Sequence, residues 1–143
     1  MFRYRLVIIA VLTFLDLTLR GISYADSNKD DYELQERCGK RAEESFRSEW
    51  GNGIKSVEGE KMSADYSNHY NKKLNKCFVL QTVSGMSNKY YKSIFLYDVN
   101  ESRTYGSFFK LEYDRPPNQC QVLGKKCKSE DEWNSFVKPY MEE

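Results

Sequence analysis

The single histidine, His69, is the one member in this 143-residue chain of the residue type most used as a general acid or base. Ser63, Asp65 and Ser67 precede it at steps of two. Those are the residue types of a nucleophile, a base and an orienting carboxylate. Their spacing argues against that chemistry, because side chains two residues apart on one strand stand parallel and about 7 Å apart. The expectation is a solvent-facing histidine. Carboxylate pairs suited to glycosidase chemistry stand at Glu58 and Glu60, Glu112 and Asp114, and Asp131 and Glu132. None has an unusual setting, and Glu132 already serves a helix cap, so solvated surface is the expectation for all three.

Two basic segments, Lys72-Lys73-Leu74-Asn75-Lys76 and Lys125-Lys126-Cys127-Lys128, are the strongest local charge patches. Tyrosines interleaved with them offer stacking platforms for sugars or bases. The candidate binding surface is therefore Tyr66, His69, Tyr70, Lys72, Lys73, Tyr90 and Tyr91. Lysines that keep loops soluble and tyrosines that fill a sheet account for the same residues without a ligand.

The four cysteines, Cys38, Cys77, Cys120 and Cys127, include no Cys-x-x-Cys pair, and zinc sites prefer close ligand pairs. No metal and no cofactor are expected. An even count in a short exported chain reads instead as two disulfides. Three pairings are open. Cys38–Cys77 with Cys120–Cys127 is favoured, since the last two flank a turn-like Leu123-Gly124-Lys125-Lys126.

Export itself is read from the start of the chain. Arg3 and Arg5 precede an apolar run from Leu6 to Leu15, and Ser23-Tyr24-Ala25 offers small residues where a signal peptidase reads. Asp16 and Arg20 interrupt the run, so an uncleaved membrane anchor is disfavoured. Removal of residues 1–25 leaves 118 of the 143 residues, 26–143, as a single domain in the periplasm or extracellular space. The leader takes Arg3, Arg5, Arg20 and Asp16, so 22 basic and 21 acidic residues become 19 and 20. A net charge of −1 draws the domain to neither nucleic acid nor anionic lipid.

The elements that must position these residues follow from periodicity. Leu34, Cys38, Ala42, Phe46 and Trp50 recur every fourth residue, predicting a helix that Gly51-Asn52-Gly53 ends. Gly39 within it costs about 1 kcal/mol relative to alanine and marks a candidate close approach to the sheet. From Met62 the period becomes two, predicting strands over Met62 to Tyr70, Cys77 to Val83, Tyr90 to Val99 and Thr104 to Glu112. Gln119 to Leu123 is expected as a short edge strand. Short connections make the sheet an antiparallel meander. Ser129-x-x-Glu132 is a capping box, and Trp133, Phe136, Val137, Tyr140 and Met141 form an apolar helical stripe. Pro139 is expected to stop the regular part near Val137.

The expected fold is thus α+β in two layers: an N-terminal helix, a four- or five-stranded antiparallel meander, a C-terminal helix and two disulfides. Such a domain cannot bury all its aromatic residues on one sheet face, so exposed tyrosines are expected as interface anchors. Asn100-Glu101-Ser102 matches the N-glycosylation pattern in a turn.

His69-Tyr-Asn-Lys-Lys-Leu-Asn-Lys-Cys-Phe78, Leu96-Tyr-Asp-Val-Asn-Glu101, Thr104-Tyr-Gly106, Cys120 with Gly124-Lys-Lys-Cys127, and Val137-Lys-Pro-Tyr-Met-Glu-Glu143 carry a resemblance. Through them the chain resembles a group of small exported proteins of Gram-negative bacteria. The resemblance implies an envelope or secreted setting and carries no activity.

The reading that follows is a non-enzymatic periplasmic or secreted binding protein, an inhibitor or immunity-type partner of another protein. Its partner would be a protein or a glycan. No nucleic acid and no stable membrane span after cleavage are expected. Two alternatives stand beside it: a small cell-wall or glycan hydrolase using carboxylates, and a structural envelope component.

Overall fold

The structure, a computed structural model, describes residues 28–86, 89–112 and 115–142. The expected leader and Asp114 of one carboxylate pair lie outside the described residues. The chain divides into two units, Met1–Leu34 and Gln35–Glu143. Residues 28–34 of the first are helical, with Tyr32 exposed. Everything below concerns the second unit.

Helix α1 covers residues 35–50 of this unit. Within Gln35–Glu143 it buries Cys38, Ala42, Phe46 and Trp50, the four-residue repeat of the sequence. It ends as expected at glycine: Gly51 takes φ 61° and donates its N–H to the Arg47 carbonyl at 2.9 Å.

Among the described residues seven antiparallel strands follow in chain order: β1 (Ile54–Val57), β2 (Glu60–Asn71), β3 (Lys76–Met86), β4 (Tyr90–Asp98), β5 (Arg103–Leu111), β6 (Gln119–Val122) and β7 (Lys125–Lys126). The expected four or five are corrected upward by β1 and β7. Each is the short arm of a hairpin whose two turn residues both have positive φ: Glu58 and Gly59 for one, Leu123 and Gly124 for the other. That is the turn which matches strand twist. Runs of two and four residues are too short to display alternation, so periodicity passes over them.

Helix α2 (Glu130–Met141) starts at the predicted cap, where the Ser129 hydroxyl accepts the Glu132 N–H at 3.2 Å. The Glu132 carboxylate reaches back to the Lys128 N–H at 2.8 Å. The expectation that Pro139 stops the helix near Val137 is corrected: α2 runs on to Met141. A helix interior proline frees the carbonyl four residues earlier. Here that carbonyl belongs to the exposed Ser135, where water can satisfy it.

The expectation of two layers is corrected to three. Along β3, Phe78 and Leu80 pack with Trp133, Val137 and Tyr140 of α2, while Val83 packs with Phe46 and Trp50 of α1. Odd and even positions of a strand point to opposite faces, so the helices lie on opposite sides of the sheet. The alternation of β3 was hidden because both of its faces are covered. Trp133, Phe78 and Phe108 are the largest fully buried side chains and form the α2 core. The disulfides are Cys38–Cys77, joining α1 to β3, and Cys120–Cys127, joining β6 to the approach of α2. No helix among the described residues is long and apolar enough to cross a membrane.

The coverage is unequal. Helix α1 packs on β2 and β3 and reaches Tyr91 and Tyr97 of β4, while Gln119 and Gln121 of β6 are exposed on that side. Cross-strand rows there read Phe95–Ser107–Gln121 and Ser93–Phe109–Gln119. Phe95 is 38 % exposed, although sequence reasoning had assigned the outward aromatics to tyrosine.

Candidate functional site

The seven residues of the predicted surface do not share one face. Tyr66 and Tyr70 stand at even positions of β2 on the α1 side, and Tyr91 of β4 joins them there through its partner Gly85. Tyr66 stacks on Phe46 with centroids 4.6 Å apart, and the Tyr70 hydroxyl donates to Asn75 at 2.6 Å. His69 and Tyr90 point to the α2 side. Lys72 and Lys73 occupy the β2–β3 turn and are exposed. All four tyrosines are half-buried rather than exposed. A second helix layer supplies the cover that a two-layer fold lacks.

The candidate catalytic sets also separate. The Ser63 hydroxyl pairs with that of Ser84 at 3.1 Å, and Asp65 accepts the Tyr66 N–H at 2.8 Å. His69 is not solvent-facing: it stands opposite Phe78, and its Nε2 is buried without a partner among protein groups. The side of β2 it occupies is the one α2 packs against, which the alternation of β2 alone does not reveal. Glu58 sits in the β1–β2 turn, and Lys89, donating to Glu112, holds that carboxyl below its usual range. Among the described residues, no three His, Cys, Asp or Glu side chains cluster as metal ligands.

What the structure brings together instead is a groove of about 670 Å³ at the C-terminal end of α2. The β2–β3 turn forms one bank through Leu74, and the β6–β7 turn forms the other through Leu123. The floor is aromatic. Tyr105 and Tyr140 lie against Phe78 with centroids 5.0 and 5.2 Å from it, at steep angles that suit the ring quadrupoles. Leu74 and Leu123 are 47 % and 54 % exposed, so the banks present apolar surface to solvent.

The groove is held open by Asn71, which is buried at the end of β2. Its Nδ2 donates to the Pro139 carbonyl at 3.0 Å, and its Oδ1 accepts the Leu74 N–H at 2.9 Å. One amide thus fixes both the last turn of α2 and the bank that carries Leu74. Such a group satisfies carbonyls that a helix end leaves without intrahelical partners.

Cations line the rim and are mostly engaged. Lys76 bonds Asp98 at 3.1 Å and also Glu101; the Glu101 bond chiefly raises its pKa, burial opposing. Lys138 pairs with Glu142 at 3.4 Å. Arg103 lies over the Tyr105 ring at 5.1 Å. Glu142 is the one carboxylate among the described lining residues, so the pair that glycosidase chemistry needs is not assembled there. Chemically, the groove can accept an apolar side chain against aromatic walls with polar groups at the edge, the usual make-up of a binding pocket.

Sequence reasoning named the flanking Lys73 but missed Leu74, Tyr105, Leu123 and Tyr140. The Tyr140 stripe and the Leu123-Gly124 turn were visible; their meeting was not. Comparisons with protein-family models, with curated proteins and with solved structures return no match.

Proposed function

We propose that this chain is an exported, non-enzymatic binding protein that docks another protein at the groove beside the end of α2. The observation that carries the reading is the pair of exposed leucines, Leu74 and Leu123, set on opposite banks of an aromatic-floored groove. Isolated surface leucines are ordinary. Two flanking a concave aromatic floor make an exposed apolar patch with polar groups at its rim, the kind that marks an interaction site. Two disulfides support an oxidising compartment and so the export reading.

The partner places one apolar side chain between Leu74, Leu123 and Tyr140. Affinity purification from envelope and secretion extracts, run in parallel with wild type and with Leu74→Lys/Leu123→Lys, tests this. Both positions are exposed, so the double variant keeps its fold, checked by circular dichroism. One stoichiometric protein held by wild type and lost by the variant is expected. Equal capture by both proteins, or capture by neither, overturns the reading.

A further inference from the structure

The groove beside the end of α2 is aromatic on its floor and basic at its edge. Its charged lining residues are Lys73, Lys76 and Lys138 against a single carboxylate, Glu142. Lys138 pairs with that carboxylate, and Lys76 is held by Asp98 and Glu101, which do not line the groove.

Two further cations stand beside it with a ring, and no carboxylate, as partner. Arg103 is exposed, and its guanidinium lies 5.1 Å from the centre of the Tyr105 ring on the groove floor. Asp98, opposite Arg103 across β4 and β5, directs its oxygens to Lys76 and the Asn100 N–H instead. Lys125, two positions past Leu123, is also exposed, with its ammonium 3.8 Å from the centre of the Phe136 ring. Neither cation has an ion pair among the described residues. The described groove thus carries five cations against the carboxylates of Asp98, Glu101 and Glu142. The whole chain is nearly balanced, with 22 basic and 21 acidic residues, so the excess is local.

A ring attracts a cation through its quadrupole but accepts few of its N–H donors. Arginine in particular keeps a planar fork that fits a carboxylate through two hydrogen bonds. Arg103 is therefore half of an ion pair set at the edge of an apolar groove. The other half is left for whatever lies in the groove.

We infer, on the groove reading proposed above, that the docked segment of the partner protein is acidic. It places an apolar side chain between Leu74 and Leu123 and a neighbouring carboxylate on Arg103. Lys76 and Lys138 already hold carboxylates of this chain, so Arg103 does the reading. The same excess of cations repels a basic segment, so charge supplies a selectivity that apolar contact lacks.

The test is selection of random peptides displayed on phage against the purified, oxidised protein, with counter-selection on Leu74→Lys/Leu123→Lys. The added lysines favour acidic peptides, so the counter-selection works against the expected result. The expected consensus is an apolar residue flanked by Asp or Glu. A synthetic peptide of that consensus, followed by fluorescence anisotropy, should bind Arg103→Gln about ten-fold more weakly than wild type. Its analogue with Asn or Gln for the acids should bind wild type as weakly, and lose little more on Arg103→Gln. Arg103 is exposed, and circular dichroism checks that the variant folds. Leucine-dependent peptides that carry no acid overturn the inference and leave the groove reading standing. So does an acidic peptide that binds wild type and Arg103→Gln equally, or an analogue that loses as much as its acidic parent. A selection that yields no leucine-dependent peptide overturns the groove reading itself, and the acidic partner with it.

Discussion

The buried amide of Asn71 donates to the carbonyl of Pro139, 68 positions away in the chain, at 3.0 Å. That bond joins the end of β2 to a turn of α2 that proline weakens. Through its amide oxygen Asn71 also accepts the Leu74 N–H. The geometry of the groove thus rests on one side chain that never meets solvent.

Asn71→Ala is expected to cost about 2 kcal/mol, since it strips partners from buried backbone groups on two elements. Asn71→Asp should be no milder, because a carboxylate cannot donate to the Pro139 carbonyl. Urea unfolding followed by tryptophan fluorescence measures both. A cost below about 0.5 kcal/mol for Asn71→Ala, the level of an ordinary surface change, would show that the bond carries little.

Two glycines should respond to alanine with opposite signs. A Cβ at Gly106 would lie 2.9 Å from the Trp133 ring and 3.0 Å from the Gln121 carbonyl, both fixed in the core. Gly106→Ala should destabilise by about 2 kcal/mol through overpacking. At Gly39 the nearest such atom is the Asn68 amide at 3.8 Å, ordinary contact. Gly39→Ala in mid-helix should then stabilise by about 0.5–1 kcal/mol. Melting temperatures that move in the same direction would contradict this account.

The two disulfides should differ in worth. Cys38–Cys77 closes a separation of 39 residues and Cys120–Cys127 one of 7. In the chain-entropy model their removal costs about 4 and about 2.4 kcal/mol respectively. Paired serine variants, compared by denaturant midpoint, check the order. If the short loop mattered more, native packing around Cys120 rather than loop entropy would be responsible.

Alkaline pH should weaken the fold through Tyr97. Burial beside α1 raises its pKa above the usual 10, with Glu49 adding to the effect and Ser45 opposing it. A raised folded pKa means that the unfolded chain loses the proton first. The stabilisation is complete below about pH 10 and is lost as pH climbs through the folded value. Ultraviolet titration should show a late-ionising tyrosine that Tyr97→Phe removes. Its persistence in that variant would assign the late component elsewhere, with Tyr91, raised mainly by burial, the next residue to test.

Local patterns in the chain were enough for the capping box at Ser129, the glycine end of α1, five of the strands and the disulfide pairing. Each depends on residues near one another in sequence, or on a turn that brings two cysteines together. The helix stripes stated which side of each helix is apolar. They did not state which face of the sheet it meets. That choice is tertiary: β3 offers Phe78 to one side and Val83 to the other, and either helix has apolar surface enough to cover either face.

The same limit explains the sites. His69 was placed in water because alternation along β2 describes that strand alone, and the cover comes from a helix some 70 residues later. The groove joins Leu74, Tyr105, Leu123 and Tyr140 from four separate stretches, so no spacing encodes it. By itself, then, the sequence determined both helices, five of the strands, the caps and a favoured disulfide pairing, because those follow from neighbours along the chain. The layering and the groove were decided by tertiary packing, which sets which surfaces are covered and which stay open.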